Sequence, residues 1–211
     1  MTYTLYSNTG SGGFAVEAAL VKAGAPYKIV TIDYDKAEQK TAAYAKINPM
    51  MQVPAMTLPD GTLMTESAAM VLHLANAFPG KGLAPAAATP AHATFLRWML
   101  FMAVNLYEAD LRYFYPERYT ANPTGTDGVK ASGAAHMAKS FSIIETELNP
   151  FLLGKELSIA DAYLAMLTVW SPVPLTSAKY MALRAAVAAD AAYGPVWERH
   201  GFRLRTDADQ T

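Results

Sequence analysis

Three short stretches of this chain combine residue types that can do chemistry. At Val53-Pro54 a proline opens an apolar run. It removes a ladder donor, so it belongs at a sheet edge. A cis bond there turns the Val53 backbone outward, where an extended peptide can pair with its N–H and C=O. A trans proline ending a strand fits the same residues. At Glu66-Ser67 a strand-like run gives way to a helical one. The first helical N–H groups, the Ser67 hydroxyl and the helix dipole suit an anion, and Glu66 suits an ammonium. A ligand with both groups on one carbon satisfies the pair; a plain N-cap with an acidic first turn is the simpler reading. At Gly10-Ser11-Gly12-Gly13 a hydroxyl opens a helix between glycines that let backbone approach a ligand. That stretch also reads as an ordinary N-cap, and it is neither a dinucleotide fingerprint nor a P-loop.

Other chemistries are excluded by what the chain lacks. Its 211 residues contain no cysteine, which removes disulfides, thiolate metal sites and catalysis by a protein thiol. His73, His92, His136 and His200 show no metal-ligand spacing, so no metal is expected. Seventeen basic against 18 acidic side chains leave a charge of −1, which argues against nucleic acid as partner. With 52% apolar and 17% charged residues the chain is not disordered as a whole. The opening Met1-Thr2-Tyr3-Thr4-Leu5 carries neither a basic nor a long apolar stretch, so no signal peptide is expected. No apolar run approaches the ~20 residues that span a bilayer. The expectation is a cytoplasmic protein without a membrane partner.

The elements that must position these residues fall into two groups. Residues 1–79 read as α/β: a strand at Tyr3–Ser7, a helix ending at Gly24, a strand over 27–32 and a polar helix over 35–45. The first two strands should be parallel. Asn48-Pro49 marks a turn, Pro59-Asp60-Gly61 a hairpin between two short strands, and a third helix follows Glu66-Ser67. The sum is a four-stranded mixed sheet. A Pro/Gly/Ala linker covers 80–89, and residues 90–211 read as all-α, with helical patterns over 91–113, 127–148, 158–170 and 177–189. The polar tail after Phe202 is expected to fray. Ser158 and Asp161 make a capping box, a structural feature rather than a site.

Taken in order, Asn48-Pro49, Gln52-Val53-Pro54, Thr65-Glu66-Ser67-Ala68-Ala69 and Leu157-Ser158-Ile159-Ala160-Asp161-Ala162 resemble the cytosolic glutathione S-transferases, in a bacterial, serine-type or related class, over nearly the full length. The resemblance implies a thioredoxin-like N-terminal domain, a helical-bundle C-terminal domain and a homodimer. It implies that Val53, beside a cis Pro54, binds the cysteinyl backbone of glutathione, and that Glu66 and Ser67 hold its γ-glutamyl end. Lys36, or Gln39 near it, would reach the glycyl carboxylate, and Gln52 would contribute. Ser11 is the first choice for activating the thiol. Tyr6 is the second, with Asn8 or Thr9 behind it; the thiol position of cysteine-type members falls at Gly12.

Such a site lowers the pKa of the glutathione thiol. A hydrogen bond to a charged acceptor contributes about 1.5–3 kcal/mol, and one pKa unit is about 1.4 kcal/mol. One hydroxyl with a helix N-terminus therefore shifts a thiol of pKa about 8.5 by roughly one to two units. The expected activity is transfer of glutathione to a small aromatic or hydrophobic electrophile. A binding protein without turnover, or a glutathione-dependent lyase or etherase, are the alternatives. The electrophile pocket is expected between the domains, from Tyr107, Arg112 and Tyr113, with Asn105 and Tyr115 near them. Trp98 and Phe101 are expected to be core, as are the eleven methionines.

Overall fold

Strand β1 (Tyr3–Ser7) alternates as a half-buried strand should, with Tyr3, Leu5 and Ser7 inward and Thr4 and Tyr6 on the other face. Helix α1 (Gly13–Ala23) carries the chain back over the inward face. It stops at Gly24, whose φ of 67° lets its N–H close on the Leu20 and Val21 carbonyls. Strand β2 (Tyr27–Thr31) then pairs parallel to β1, from Tyr3 opposite Tyr27 to Ser7 opposite Thr31. These elements belong to a computed structural model that describes residues 2–203.

The polar helix expected over 35–45 is broken. Asp33 Oδ1 accepts the Asp35 and Lys36 N–H groups, which holds the start as a loop. Glu38–Lys40 forms one 3-10 turn. Thr41 stays extended and its hydroxyl accepts the Tyr44 N–H at 3.2 Å, so only a single turn, α2 (Ala42–Ala45), follows. Strands β3 (Ala55–Thr57) and β4 (Leu63–Met64) add antiparallel, joined through the expected turn, where Asp60 Oδ1 accepts the Thr62 N–H at 2.9 Å. The sheet order is β2-β1-β3-β4. Helix α3 (Ser67–Ala77) completes this thioredoxin-like half.

The remainder is helical. Helix α4 (Pro90–Phe101) is capped by the Thr89 hydroxyl. The helix expected over 91–113 is one rod with a wider middle: Met102–Tyr107 winds as a π-helix before α5 (Glu108–Phe114). The Asn105 amide donates to the Phe101 carbonyl at 3.1 Å within it. Helices α6 (Thr126–Glu147), α7 (Ile159–Trp170) and α8 (Ala178–Ala189) lie where periodicity places them. A short α9 (Tyr193–Arg199) was not among the expected elements. The capping box holds: Asp161 accepts the Ser158 and Leu152 N–H groups at 2.9 and 2.8 Å.

One core runs through both halves, joining Phe14, Leu20, Met70 and Leu74 to Trp98, Met102, Tyr163 and Trp197. Behind the sheet a small cluster of Ile32, Tyr44 and Val53 packs with Tyr6 and Ile47. Among the described residues no helix is long and apolar enough to cross a membrane. The expected frayed tail, residues 204–211, lies outside the described residues.

Candidate functional site

The cradle has a peptide-like edge and a helix-headed turn. The Val53–Pro54 bond is cis, and the β1–β3 ladder starts only at Tyr6 opposite Ala55. Val53 therefore stands before the ladder, where an extended ligand can meet its backbone. The preceding carbonyl, that of Gln52, accepts the Tyr44 hydroxyl at 2.9 Å and the Asn48 amide at 2.7 Å. Both ties come from residues a few positions away.

At the head of α3, Glu66 has φ 67°, a left-handed conformation costly for a residue with a Cβ, and its side chain caps nothing. Strain of this kind gathers at ligand clamps and amounts to about 1–3 kcal/mol. Ser67 is buried, and its hydroxyl lies 3.0 Å from the Tyr163 hydroxyl on α7. Burial keeps the Tyr163 phenol protonated, well above its ordinary pKa. The pair offers a carboxylate with no partner among the described residues beside a buried hydroxyl and helix N–H groups, the complement of an α-amino acid end.

The turn at Gly10–Gly12 is held from the helical half. The Gly10 N–H donates to His200 Nδ1 at 3.1 Å, and its carbonyl accepts the Trp170 indole N–H at 3.0 Å. Because Nδ1 is the acceptor, the His200 proton sits on Nε2, 3.0 Å from Glu17 Oε2. Burial alone would raise the Glu17 carboxyl; hydrogen bonds from His200, Arg199 and Tyr27 outweigh it and hold the group below the ordinary carboxylate value. Desolvation, with Glu17 beside it, pushes the Tyr27 phenol up to about 12.

Ser11 is partly buried within this turn. Its hydroxyl donates to the Asn8 carbonyl at 2.6 Å and accepts the Gly13 N–H at 3.2 Å, with Ser7 Oγ at 3.3 Å. Donating to a ligand requires it to rotate away from Asn8. The Asn8 amide is itself held by the Ile32 carbonyl at 2.8 Å, and Thr9 is exposed. Tyr6 packs into the small cluster behind the sheet. Lys36 is exposed and paired with Asp33 at 2.8 Å, whereas the buried Gln39 Oε1 has no partner among the described residues.

Of the three expected pocket residues, the structure brings Tyr107 to the turn. Its hydroxyl reaches the space above Gly12, and its ring meets Trp170 edge-on at 5.4 Å. Arg112 and Tyr113 are engaged elsewhere: Arg112 is 3.5 Å from Glu108, and Lys130 of α6 lies over the Tyr113 ring at 4.7 Å. Asn105 joins His136 at 3.1 Å, Tyr115 stacks under Arg118, and Trp98 is core as expected. A cleft of about 430 Å³ beside the turn is lined by Asn8, Thr31, Asp33, Tyr34 and Asp35.

Sequence reasoning missed Trp170, His200 and Tyr163, which have no local signal, and Asp110. Asp110 lies three residues past Tyr107. Desolvation pushes its carboxyl up to about 7, and among the described residues Oδ1 has no hydrogen-bond partner. Among the described residues no three His, Cys, Asp or Glu side chains converge to hold a metal ion.

Comparison with known proteins follows the same outline. The glutathione S-transferase N-terminal domain model matches residues 1–76. Glutathione S-transferase GstA of Escherichia coli O157:H7 is 28% identical over 171 residues, covering 79% of this chain and 81% of that protein. A glutathione transferase homologue from Sulfitobacter with bound glutathione superposes at a TM-score of 0.86 with 28% identity, covering 94% of this chain and 98% of that one. A sphingomonad glutathione S-transferase complexed with glutathione gives 0.78 at 26% identity, covering 95% and 100%. Matched over residues 1–76 by that domain model and along 94–95% of its length by these solved structures, the chain is similar in both halves to the cytosolic glutathione S-transferases.

Proposed function

We propose that the protein is a transferase that binds glutathione across the Val53 edge and delivers its thiolate to a small aromatic or hydrophobic electrophile between the two halves. The observation that carries this reading is the head of α3: a left-handed Glu66 with an uncommitted carboxylate beside buried Ser67. In this reading Glu66 takes the γ-glutamyl ammonium, while Ser67 and the α3 N–H groups take its carboxylate. Val53, next to cis Pro54, pairs with the cysteinyl backbone, and the Gln52 side chain lies alongside. The glycyl carboxylate goes to Gln39 or Lys36.

That placement lays the sulfur toward the head of α1, where N–H groups and the Ser11 hydroxyl favour an anion. Ser11 acts as a donor to sulfur, not as a nucleophile; Tyr6 is the second choice. Tyr107 lines the electrophile side, with Arg112 and Tyr113 at its outer margin. The chain divides for this purpose into residues 1–79 for glutathione and 90–211 for the electrophile, and the setting is a cytoplasmic, detoxifying homodimer. Leu100 and Val104, more than half exposed on adjacent turns, are apolar surface a second copy would cover.

Binding and turnover are tested separately. Calorimetric titration with glutathione, followed by rates with an aryl halide, an isothiocyanate, a peroxide and an aryl ether, gives binding and at least one rate above the uncatalysed reaction. Binding without any rate supports the alternative of a non-enzymatic glutathione-binding protein. Activity on the ether alone supports the lyase or etherase. Glu66→Ala weakens glutathione binding about tenfold, as expected for a lost charge-assisted pair; unchanged affinity removes Glu66 from the site.

A further inference from the structure

Gly12 sits at the head of α1 with φ −59°, a conformation open to any residue, so the backbone does not require glycine there. A close approach does. A Cβ at Gly12 would lie 2.5 Å from the Tyr107 hydroxyl oxygen and 3.2 Å from the ring. The phenol of the helical half thus fills the space that a side chain at position 12 would occupy. It is carried at the end of the π-helical turn Met102–Tyr107. The wider turn displaces the angular position of Tyr107 relative to α4 by about 100°, roughly one residue's rotation. Trp170, which also holds the Gly10 carbonyl, packs edge-on against the Tyr107 ring at 88°, and Tyr163 lies 6.5 Å away. Among the described residues no protein group hydrogen-bonds the Tyr107 hydroxyl. The Ser11 proton, in contrast, is committed to Asn8 at 2.6 Å.

We propose that Tyr107 is a further catalytic residue of this enzyme beside Ser11, its phenol, seated against Gly12, donating a hydrogen bond that helps hold the glutathione sulfur as a thiolate. The proposal rests on the glutathione reading above. Desolvation, with Tyr163, Asp110, Tyr34 and Glu66 around it, raises the phenol well above its ordinary pKa and keeps it a donor. The phenol keeps its proton throughout. The thiol proton of glutathione goes to solvent, the sulfur lone pair forms the new S–C bond, and in a substitution the leaving group departs with its electron pair.

The test titrates the thiolate absorbance of glutathione bound to the full-length protein, for the native chain, Tyr107→Phe and Gly12→Ala. Tyr107→Phe should bind glutathione within about twofold of the native affinity, raise the bound thiol pKa by about one to two units and cut kcat about tenfold or more. Gly12→Ala pushes the phenol aside with Tyr107 still present and should reproduce that shift. Combining the two should add nothing. A native thiol pKa in glutathione-bound Tyr107→Phe overturns the proposal. Should that variant fail to fold, a native pKa in Gly12→Ala overturns it instead. Failure of the native protein itself to bind glutathione overturns the underlying reading, a result distinguishable from failure of Tyr107 alone.

Discussion

The edge at Gln52–Pro54 is fixed by near neighbours, with Tyr44 and Asn48 eight and four residues from the carbonyl they hold. The turn at Gly10–Gly12 is fixed from afar, with Trp170 and His200 160 and 190 residues away from Gly10. The same division appears in packing. Val53 belongs to the small cluster of the sheet half, whereas Phe14, just after the turn, meets Trp197 and Phe202 edge-on. The edge proposed to pair with the glutathione backbone is thus tied within one half. The turn proposed to face its sulfur draws on both. Binding and reactivity should therefore separate under mutation.

The largest effect is expected at Glu17, the buried carboxylate behind His200. Glu17→Ala strips the partner from His200, Arg199 and Tyr27 and should cost about 3 kcal/mol of stability at neutral pH, measured by urea unfolding. The Glu17 pKa is lowered by folding, so its contribution is present above the unfolded value near 4.5 and is lost as pH falls through the folded one. The gap between variant and native chain should therefore narrow in acid. A constant gap assigns the effect to packing.

Trp170→Phe comes next. It keeps an aromatic ring but loses the bond to the Gly10 carbonyl, about 1 kcal/mol. Steady-state kinetics should show kcat about fivefold lower and glutathione KM unchanged. A raised KM with normal kcat breaks the contrast between the two ends. The smallest change is expected at Asn48. Asn48→Ala frees the Gln52 carbonyl and should weaken glutathione binding by up to about fivefold, read by calorimetry, without moving the bound thiol pKa.

What the sequence made legible follows the same line. Gly24 as a helix stop, Asp60-Gly61 as a hairpin, Ser158 and Asp161 as a capping box, and the Glu66-Ser67 helix head are all short-range chemistry, and short-range chemistry is written in adjacent residues. The polar helix over 35–45 misled because Asp33 and Thr41 offer backbone donors a side-chain oxygen, and those local bonds outcompete helical ones. Helix α9 has only seven residues and begins Tyr193-Gly194-Pro195, too short and too rich in breakers to show a period. The π-helical turn left no compositional mark, so the facing of Tyr107, Arg112 and Tyr113 was out of reach. So were the hold of His200 and Trp170 on Gly10, because no pattern in one segment announces a partner in another.

The Gly10–His200 bond also bears on the order in which the molecule is made. A ribosome releases the sheet half first, and domains tend to fold as they emerge. The glycine turn, though, receives its imidazole acceptor only after 190 further residues have been synthesised. A nascent or prematurely terminated chain can therefore display the Val53 edge while the turn at Gly10 is still without its His200 tie.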